Sequence, residues 1–436
     1  MVEATPGAAG PLRRLADILL PKQIDTPQAA RAYRLNVASG ACTKLAEQLA
    51  SPELVLPWLL GAIGAPAGLV ALLVPAKQAG SLVPQLAVSG RIRRLARRKW
   101  AWVSAAAAQA LLLVAMIPAA ALLPTAAAGW ALIALLLLFS AASGCGSVAF
   151  QDVTGKTVPG GARGRMLATR AAVGGALTLA AGAAMRATLG ETVEVLPLLA
   201  LVGAAALLWA VSAALFAAIP EPASEPGEVR DALAEWRRGV AALRRYPGFR
   251  RFLTARALLL AVEVAMPFYA LHAHGLLGGG AADLGYFVLA VGLAGVVASP
   301  FWGRLADGSA RRVMIVSALL GAASAVLALA LPRLLHGDAL GWAYGGVFLV
   351  LGIALAGVRL GRKTYLVDGA PADERALFAA FSNTLVGLLS MMAAGFGLLV
   401  EAGGVEIGIV ALGVAGALAA WASLAMPEAA RMTSTG

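Results

Sequence analysis

Charge is scarce in this chain. Of its 436 residues only 13% are Asp, Glu, Lys or Arg, against about 25% in an ordinary soluble domain. Cysteine is nearly absent. Cys42 and Cys145 both lie in apolar runs, and no C-x-x-C exists, so no cysteine redox or metal motif is legible. Histidine is limited to His272, His274 and His336. They read as residues of two short stretches outside the cytoplasm, where a histidine at the membrane interface is the plain interpretation. His272-x-His274 is the one hint of a metal site, and no Cys or clustered acid stands near it. No P-loop occurs, which argues against an ATP-driven pump acting alone. No Ser-His-Asp or metal constellation can be assembled from three loop histidines, so neither an enzyme nor a cofactor is expected. A cleavable signal peptide is not expected either, because the first apolar run begins near residue 33 behind a basic, proline-containing tail.

What the chain has is apolar surface. It is 60% hydrophobic, with a mean hydropathy of +0.80, where soluble chains are about 45–50% apolar. One water-soluble core could not hide that much, so lipid is the expected solvent. A spanning helix needs about 20 mostly apolar residues, at about 1.5 Å of rise each across a core about 30 Å thick. Twelve such segments are read, at 33–60, 65–88, 100–122, 128–152, 164–187, 194–218, 249–275, 283–304, 312–333, 341–366, 374–400 and 404–426. The first is the least apolar, carrying Lys44, Glu47 and Gln48.

The formal net charge is +12, from 35 Lys and Arg against 23 Asp and Glu. The basic residues fall in short clusters between apolar runs, where they set membrane orientation rather than bind nucleic acid. The tail, the even-numbered loops, their edges and the C-terminal end hold 30 of the 35, and only Arg186 and Arg333 fall on the other side. Both termini are therefore expected in the cytoplasm. The Ala-, Gly- and Arg-rich composition fits a GC-rich bacterial genome, and the bacterial inner membrane is the expected location. The expected division is a tail at 1–32, a six-helix bundle at 33–218, a linker at 219–248, a second six-helix bundle at 249–426 and a tail at 427–436. In the linker, Val229, Leu233, Trp236, Val240 and Leu243 recur at helical spacing. They predict an amphipathic helix lying on the cytoplasmic membrane surface, whose expected role is that of an interdomain connector.

The two bundles repeat each other. Leu45-Ala46-Glu47-Gln48-Leu49-Ala50-Ser51-Pro52 matches Leu260-Ala261-Val262-Glu263-Val264-Ala265-Met266-Pro267 at an offset of 215. The loop at Gly90–Lys99 matches Gly303–Arg312 at 213, and Arg163 matches Arg375 at 212. A tandem duplication of a six-helix unit follows. At this point the chain resembles the major facilitator superfamily of transporters, over about residues 33 to 426. The most specific match is the loop Gly303-Arg304-Leu305-Ala306-Asp307-Gly308-Ser309-Ala310-Arg311-Arg312. The resemblance implies an all-α membrane protein of twelve spanning helices in two pseudo-symmetric six-helix bundles. It also implies a cytoplasmic gate in this loop: Gly303 lets helices approach, and Asp307 pairs with Arg304 or Arg311, beside Arg312. The plain alternative is a basic loop with a turn at Asp307-Gly308. The first-half copy departs from the pattern, with Arg94 in place of the Asp, and Asp152 is a candidate partner for Arg94.

Ionisable groups at the bilayer centre each cost at least about 2.5–3.5 kcal/mol and need partners or a function. Lys44 and Glu47 bracket the midpoint of the first span, Lys77 marks that of the second and Glu263 that of the seventh. The expected site is a central pocket lined by Lys44, Glu47, Gln48, Lys77 and Glu263, with Glu47 or Glu263 carrying a proton. Static salt bridges are the alternative. Arg170 lies about two turns into the fifth span from the cytoplasm and is read as reaching for the interface or for Asp152, with binding of an anionic substrate as the alternative. Arg359 and Arg362 are read as reaching for the interface. Trp58, Phe268, Tyr269 and Asn383 are possible pocket residues, and Pro52, Pro57 and Pro267 expected kinks. The implied function is secondary transport of a small solute, with H+ and the lipid bilayer as further partners, by a monomer. The alternative class is a membrane assembly factor that does not transport.

Overall fold

The structure, a computed structural model, describes residues 24, 26–84, 92, 94–188, 194–223, 232–277, 283–371 and 374–433. The described residues contain helices and no strand. In chain order they are α1 (Pro27–Leu49), α2 (Val55–Ala62), α3 (Val70–Leu82), α4 (Lys99–Leu122), α5 (Thr125–Thr157), α6 (Gly160–Thr188) and α7 (Val195–Ala217). After the linker helix α8 (Ala232–Arg245) come α9 (Pro247–Leu258), α10 (Leu260–Leu276), α11 (Asp283–Gly308), α12 (Ala310–Ala330), α13 (Gly337–Gly369), α14 (Arg375–Ser390), α15 (Gly395–Gly403) and α16 (Val405–Leu424).

Among the described residues, eight helical stretches are long and apolar enough to cross a membrane. They correspond to α4, α5, α7, α9–α10, α12, α13, α14–α15 and α16. Of the others, α1 carries Lys44, Glu47 and Gln48 and α3 is 13 residues long, while α6 and α11, of 29 and 26 residues, contain the apolar stretches Ala172–Ala187 and Leu284–Ala298. α1 and α3 supply charged groups to the centre of the bundle.

Packing repeats between the halves. α4 lies against α5 and α7, and α12 lies against α13 and α16. α1 lies against α7, and α10 against α16; α3 lies against α5, and α11 against α13. Small residues permit the closest crossings. A methyl group at Gly144 of α5 would overlap the Ser81 carbonyl of α3. The halves meet mainly where α6 packs on α11 and α3 on α10 and α14. At that seam a Cβ on Gly182 would stand 2.7 Å from the Leu289 backbone nitrogen.

The linker forms a helix, Ala232–Arg245, that packs on the second half. Its apolar residues turn to protein rather than to lipid alone: Trp236 packs on Phe381 with ring centroids 4.8 Å apart, and Gly239 sits against the same ring. Arg238 approaches Glu374 at 4.0 Å. Leu233 stays exposed, and Val229 lies outside the described residues.

Candidate functional site

The first span breaks near its middle. α1 ends at Leu49 and α2 starts at Val55, with Pro52 between them. The Ser51 hydroxyl closes the turn by accepting from the backbone N–H groups of Glu53 and Leu54, at 3.2 and 3.1 Å. Non-helical backbone at membrane depth is tolerated where protein covers it or where it lines a water-filled cavity. The break delivers Glu53, a residue that the midpoint argument passes over. Its Oε1 accepts from Lys77 Nζ of α3 at 2.9 Å and lies 3.6 Å from Arg359 Nη2 of α13.

Glu263 is held in the same manner. It sits one turn past the break at Leu259 that separates α9 from α10. Its Oε2 accepts from Gln78 Nε2 at 2.6 Å, and its Oε1 from Arg362 Nη1 at 3.3 Å. Adjacent residues of α3, Lys77 and Gln78, thus face Arg359 and Arg362, one turn apart on α13. Between them stand one carboxylate from each half.

A third carboxylate, Glu47, accepts from Lys44 Nζ at 2.8 Å within α1. The two side chains keep 52% and 43% exposure (Lys44 and Glu47) although α6 packs Gly174 against the Lys44 stem. Gln48 is half-buried on the same helix. Lys44, Glu47, Lys77 and Glu263 thus fall in three ion-paired groups, and the groups at Glu47 and Glu53 lie within electrostatic reach of each other's cations, Lys44, Lys77 and Arg359. Arg359 and Arg362 turn inward to carboxylates instead of reaching for the interface.

Arg256 and Arg170 have no carboxylate within ion-pair distance among the described residues. Arg256 is buried and donates to Ser382 Oγ and, at 2.8 Å, to Asn383 Oδ1. Arg170 crosses over Gly40 of α1 and stacks its guanidinium 4.5 Å from the Phe150 ring centroid. It does not reach Asp152, whose partner is Arg98. Arg94 is exposed and is not that partner either.

The basic-loop end holds two carboxylate latches that sequence reasoning missed. Glu221, buried just after α7, accepts from the backbone N–H groups of Arg98 and Lys99 at 3.1 and 2.7 Å, and from Lys156 Nζ at 3.1 Å. Glu428, just after α16, accepts from Ser309 Oγ at 2.8 Å and pairs with Arg311 Nε at 2.9 Å. Arg311 also donates to the carbonyls of Leu424 and Met426. Their legible signal is a repeat: Ile219-Pro220-Glu221 and Met426-Pro427-Glu428 each follow the last helix of a half.

The second latch shares a residue with the expected gate loop. Arg311 is committed to Glu428. A Cβ at Gly303 would meet nothing within 4 Å, so that glycine does not serve a close helix approach. Arg304 and Arg312 are exposed, and the Asp307 side chain lies outside the described residues.

At the opposite end Trp58 is fully buried, its ring 4.9 Å from that of His274 and edge-on to it. Arg186 Nη2 donates to Tyr286 OH at 2.8 Å, again between halves. Trp58 is therefore part of a packed cross-half seam and not a water-accessible wall. His272 and His274 lie inside α10 rather than in a loop. His272 is buried, with Nδ1 2.8 Å from Tyr344 OH. Among the described residues no three His, Cys, Asp or Glu converge as metal ligands.

Comparison with known proteins agrees with this architecture. Uncharacterised proteins of Mycobacterium tuberculosis and Mycobacterium bovis are 28% identical over 281 residues, covering 59% of this chain. The chain spans about half the length of these curated relatives, 51%. Similar solved structures include a mutant of the nucleoside transporter NupG, at TM-score 0.71, 12% identity and coverage of 90% of this chain and 99% of that one. A D-xylose–proton symporter follows at 0.68, 15%, 91% and 98%, and a POT family transporter in complex with a thioalcohol-conjugated peptide at 0.65, 12%, 94% and 98%. These likenesses establish the fold, that of multi-pass membrane transporters. The Major Facilitator Superfamily model matches residues 38–395, most of the chain including both halves and the linker, and this protein belongs to that superfamily.

Proposed function

We propose that the chain is a secondary active transporter that moves a small polar solute by alternating access, coupled to protons. In this reading twelve helices span a bacterial inner membrane as two six-helix halves, 33–218 and 249–426. Both termini are cytoplasmic, and the working unit is a monomer. The observation that carries it is the pair of carboxylates Glu53 and Glu263. Each is gripped by one residue from its own half and one from the other. Rocking the halves apart strips Glu53 of the Arg359 guanidinium and Glu263 of the neutral Gln78 amide, so the first loses a cationic neighbour and the second a hydrogen-bond donor, without either moving along its own helix. A carboxyl group whose cationic neighbours come and go gains and loses affinity for a proton. That is a means of coupling, and it deepens the role expected for Glu263 while adding Glu53 to Glu47.

The packed seam at Trp58–His274 and Arg186–Tyr286 closes one end. The exposure of Arg359 and Lys44, 55% and 52%, then corresponds to entry from the basic-loop end, an inward-facing arrangement. The name of the D-xylose–proton symporter supports proton coupling on this fold. The deciding experiment is flux into proteoliposomes holding the full chain, with and without an imposed proton gradient. Gradient-driven uptake or extrusion is expected. No flux under any gradient would shift the case to an assembly factor that does not transport.

A further inference from the structure

Charges in the central layer do not cancel. Each of its three carboxylates is already engaged: Glu47 with Lys44, Glu53 with Lys77 and Arg359, Glu263 with Arg362. Beyond these, Arg256, Arg170 and Lys363 have no carboxylate within ion-pair distance among the described residues. The imbalance is local, because Arg256 lies within electrostatic reach of Arg362 and Glu263, and Lys363 within reach of Arg359, Arg362 and Lys44.

Arg256 carries the point. It is 4% exposed, its two terminal nitrogens find only the neutral acceptors Ser382 and Asn383, and its Nε is buried with no partner. A buried guanidinium without a counter-ion costs several kcal/mol, and a helix in lipid has no reason to keep one for packing. On α13, Arg359, Arg362 and Lys363 share one face at spacings of three and four, with no acid among them. That face and Arg256 bracket Glu263 from two helices of the second half.

We infer that the central site takes an anionic solute, whose carboxylate or phosphate oxygens are received by Arg256 and the cationic face of α13. This rests on the transporter reading for its biological sense but not for its test. Guanidinium groups receive such oxyanions with paired, charge-assisted hydrogen bonds. The solute supplies the negative charge the layer lacks, and a neutral sugar or nucleoside cannot.

The test is binding to the purified full chain in detergent, by isothermal titration and thermal unfolding. Succinate and glycerol 3-phosphate are the oxyanion probes; xylose and uridine are neutral controls. At least one oxyanion is expected to bind and raise the unfolding temperature, and the neutral solutes are not. Arg256→Gln is expected to weaken that binding about tenfold or more. Because a buried variant can misfold, exposed Lys363→Gln is measured beside it and is expected to weaken binding with unchanged thermal stability. Binding of a neutral solute while neither oxyanion binds overturns the inference, as does silence from both oxyanions. Undiminished anion binding by both variants also overturns it. Anion binding without flux in proteoliposomes would leave the anion site standing and remove the transport reading. Flux of a neutral solute without anion binding would do the reverse.

Discussion

At the basic-loop end, Glu221 gathers the start of α4, the end of α5 and its own segment after α7, all in the first half. Glu428 does the same for the start of α12 and the segment after α16, all in the second. In the middle of the bundle Glu53 and Glu263 are built from the same chemistry but are divided between halves. The first kind of joint ties segments of one half to each other. The second can be made and broken as the halves move. A carboxylate that never changes partners contributes to stability alone, and one shared across a moving seam converts motion into a change of charge environment.

The largest effect expected from breaking this comparison is at Glu221. Its side chain is wholly buried, so Glu221→Ala strands the Lys156 ammonium and two backbone N–H groups. A loss of about 3–5 kcal/mol is expected, the size found when one partner of a buried pair is removed. Thermal unfolding of the full chain in detergent reads it. A variant as stable as the parent would mean that the first half is not held at this point. Next come Glu53→Gln and Glu263→Gln. These keep a hydrogen-bonding side chain, so stability should change little, while proton-driven flux should fall about tenfold or more, the scale of one charge-assisted hydrogen bond made in one state only. Exchange of solute without a gradient should persist. If gradient-driven flux survives in both variants, the central carboxylates belong with the latches and the contrast disappears.

Hydropathy and loop charge carry most of the architecture because lipid imposes length and apolarity on every span. The same rule hid the site's partners. Glu53 stands outside the midpoint argument because that argument treats 33–60 as one straight helix. The chain instead breaks at Ser51-Pro52, a signal present in the sequence but ambiguous between kink and break. Arg359 and Arg362 look like interfacial residues when one helix is taken alone; only the placing of α13 beside α10 and the turn that carries Glu53 brings acids within their reach. Glu221 and Glu428 are legible as a repeated Pro-Glu, but nothing in spacing says that the acid turns back under the bundle rather than into water. In the loop after α11, sequence lists Arg304, Arg311 and Arg312 as equals, and packing against the end of α16 selects Arg311.

That selection gives the smaller predictions, which sharpen the comparison between the two latches. Glu428 is 45% exposed where Glu221 is wholly buried, so water can replace part of what Glu428→Ala removes. About 1 kcal/mol is expected, well below the loss at Glu221. Arg311→Gln should cost about 1–2 kcal/mol, since it gives up the same ion pair together with the Met426 carbonyl at 3.0 Å. Arg304→Gln, in the same loop and of the same charge, should stay within about 0.5 kcal/mol, as an exposed substitution away from any such contact does. Unfolding temperatures for the three variants, taken in one detergent, give the ranking directly. Equal effects at Arg304 and Arg311 would mean that the loop acts through its net charge near the membrane surface. Unequal effects in the expected order would mean that the second half is latched by geometry, as the first is, with the weaker latch on the more exposed acid.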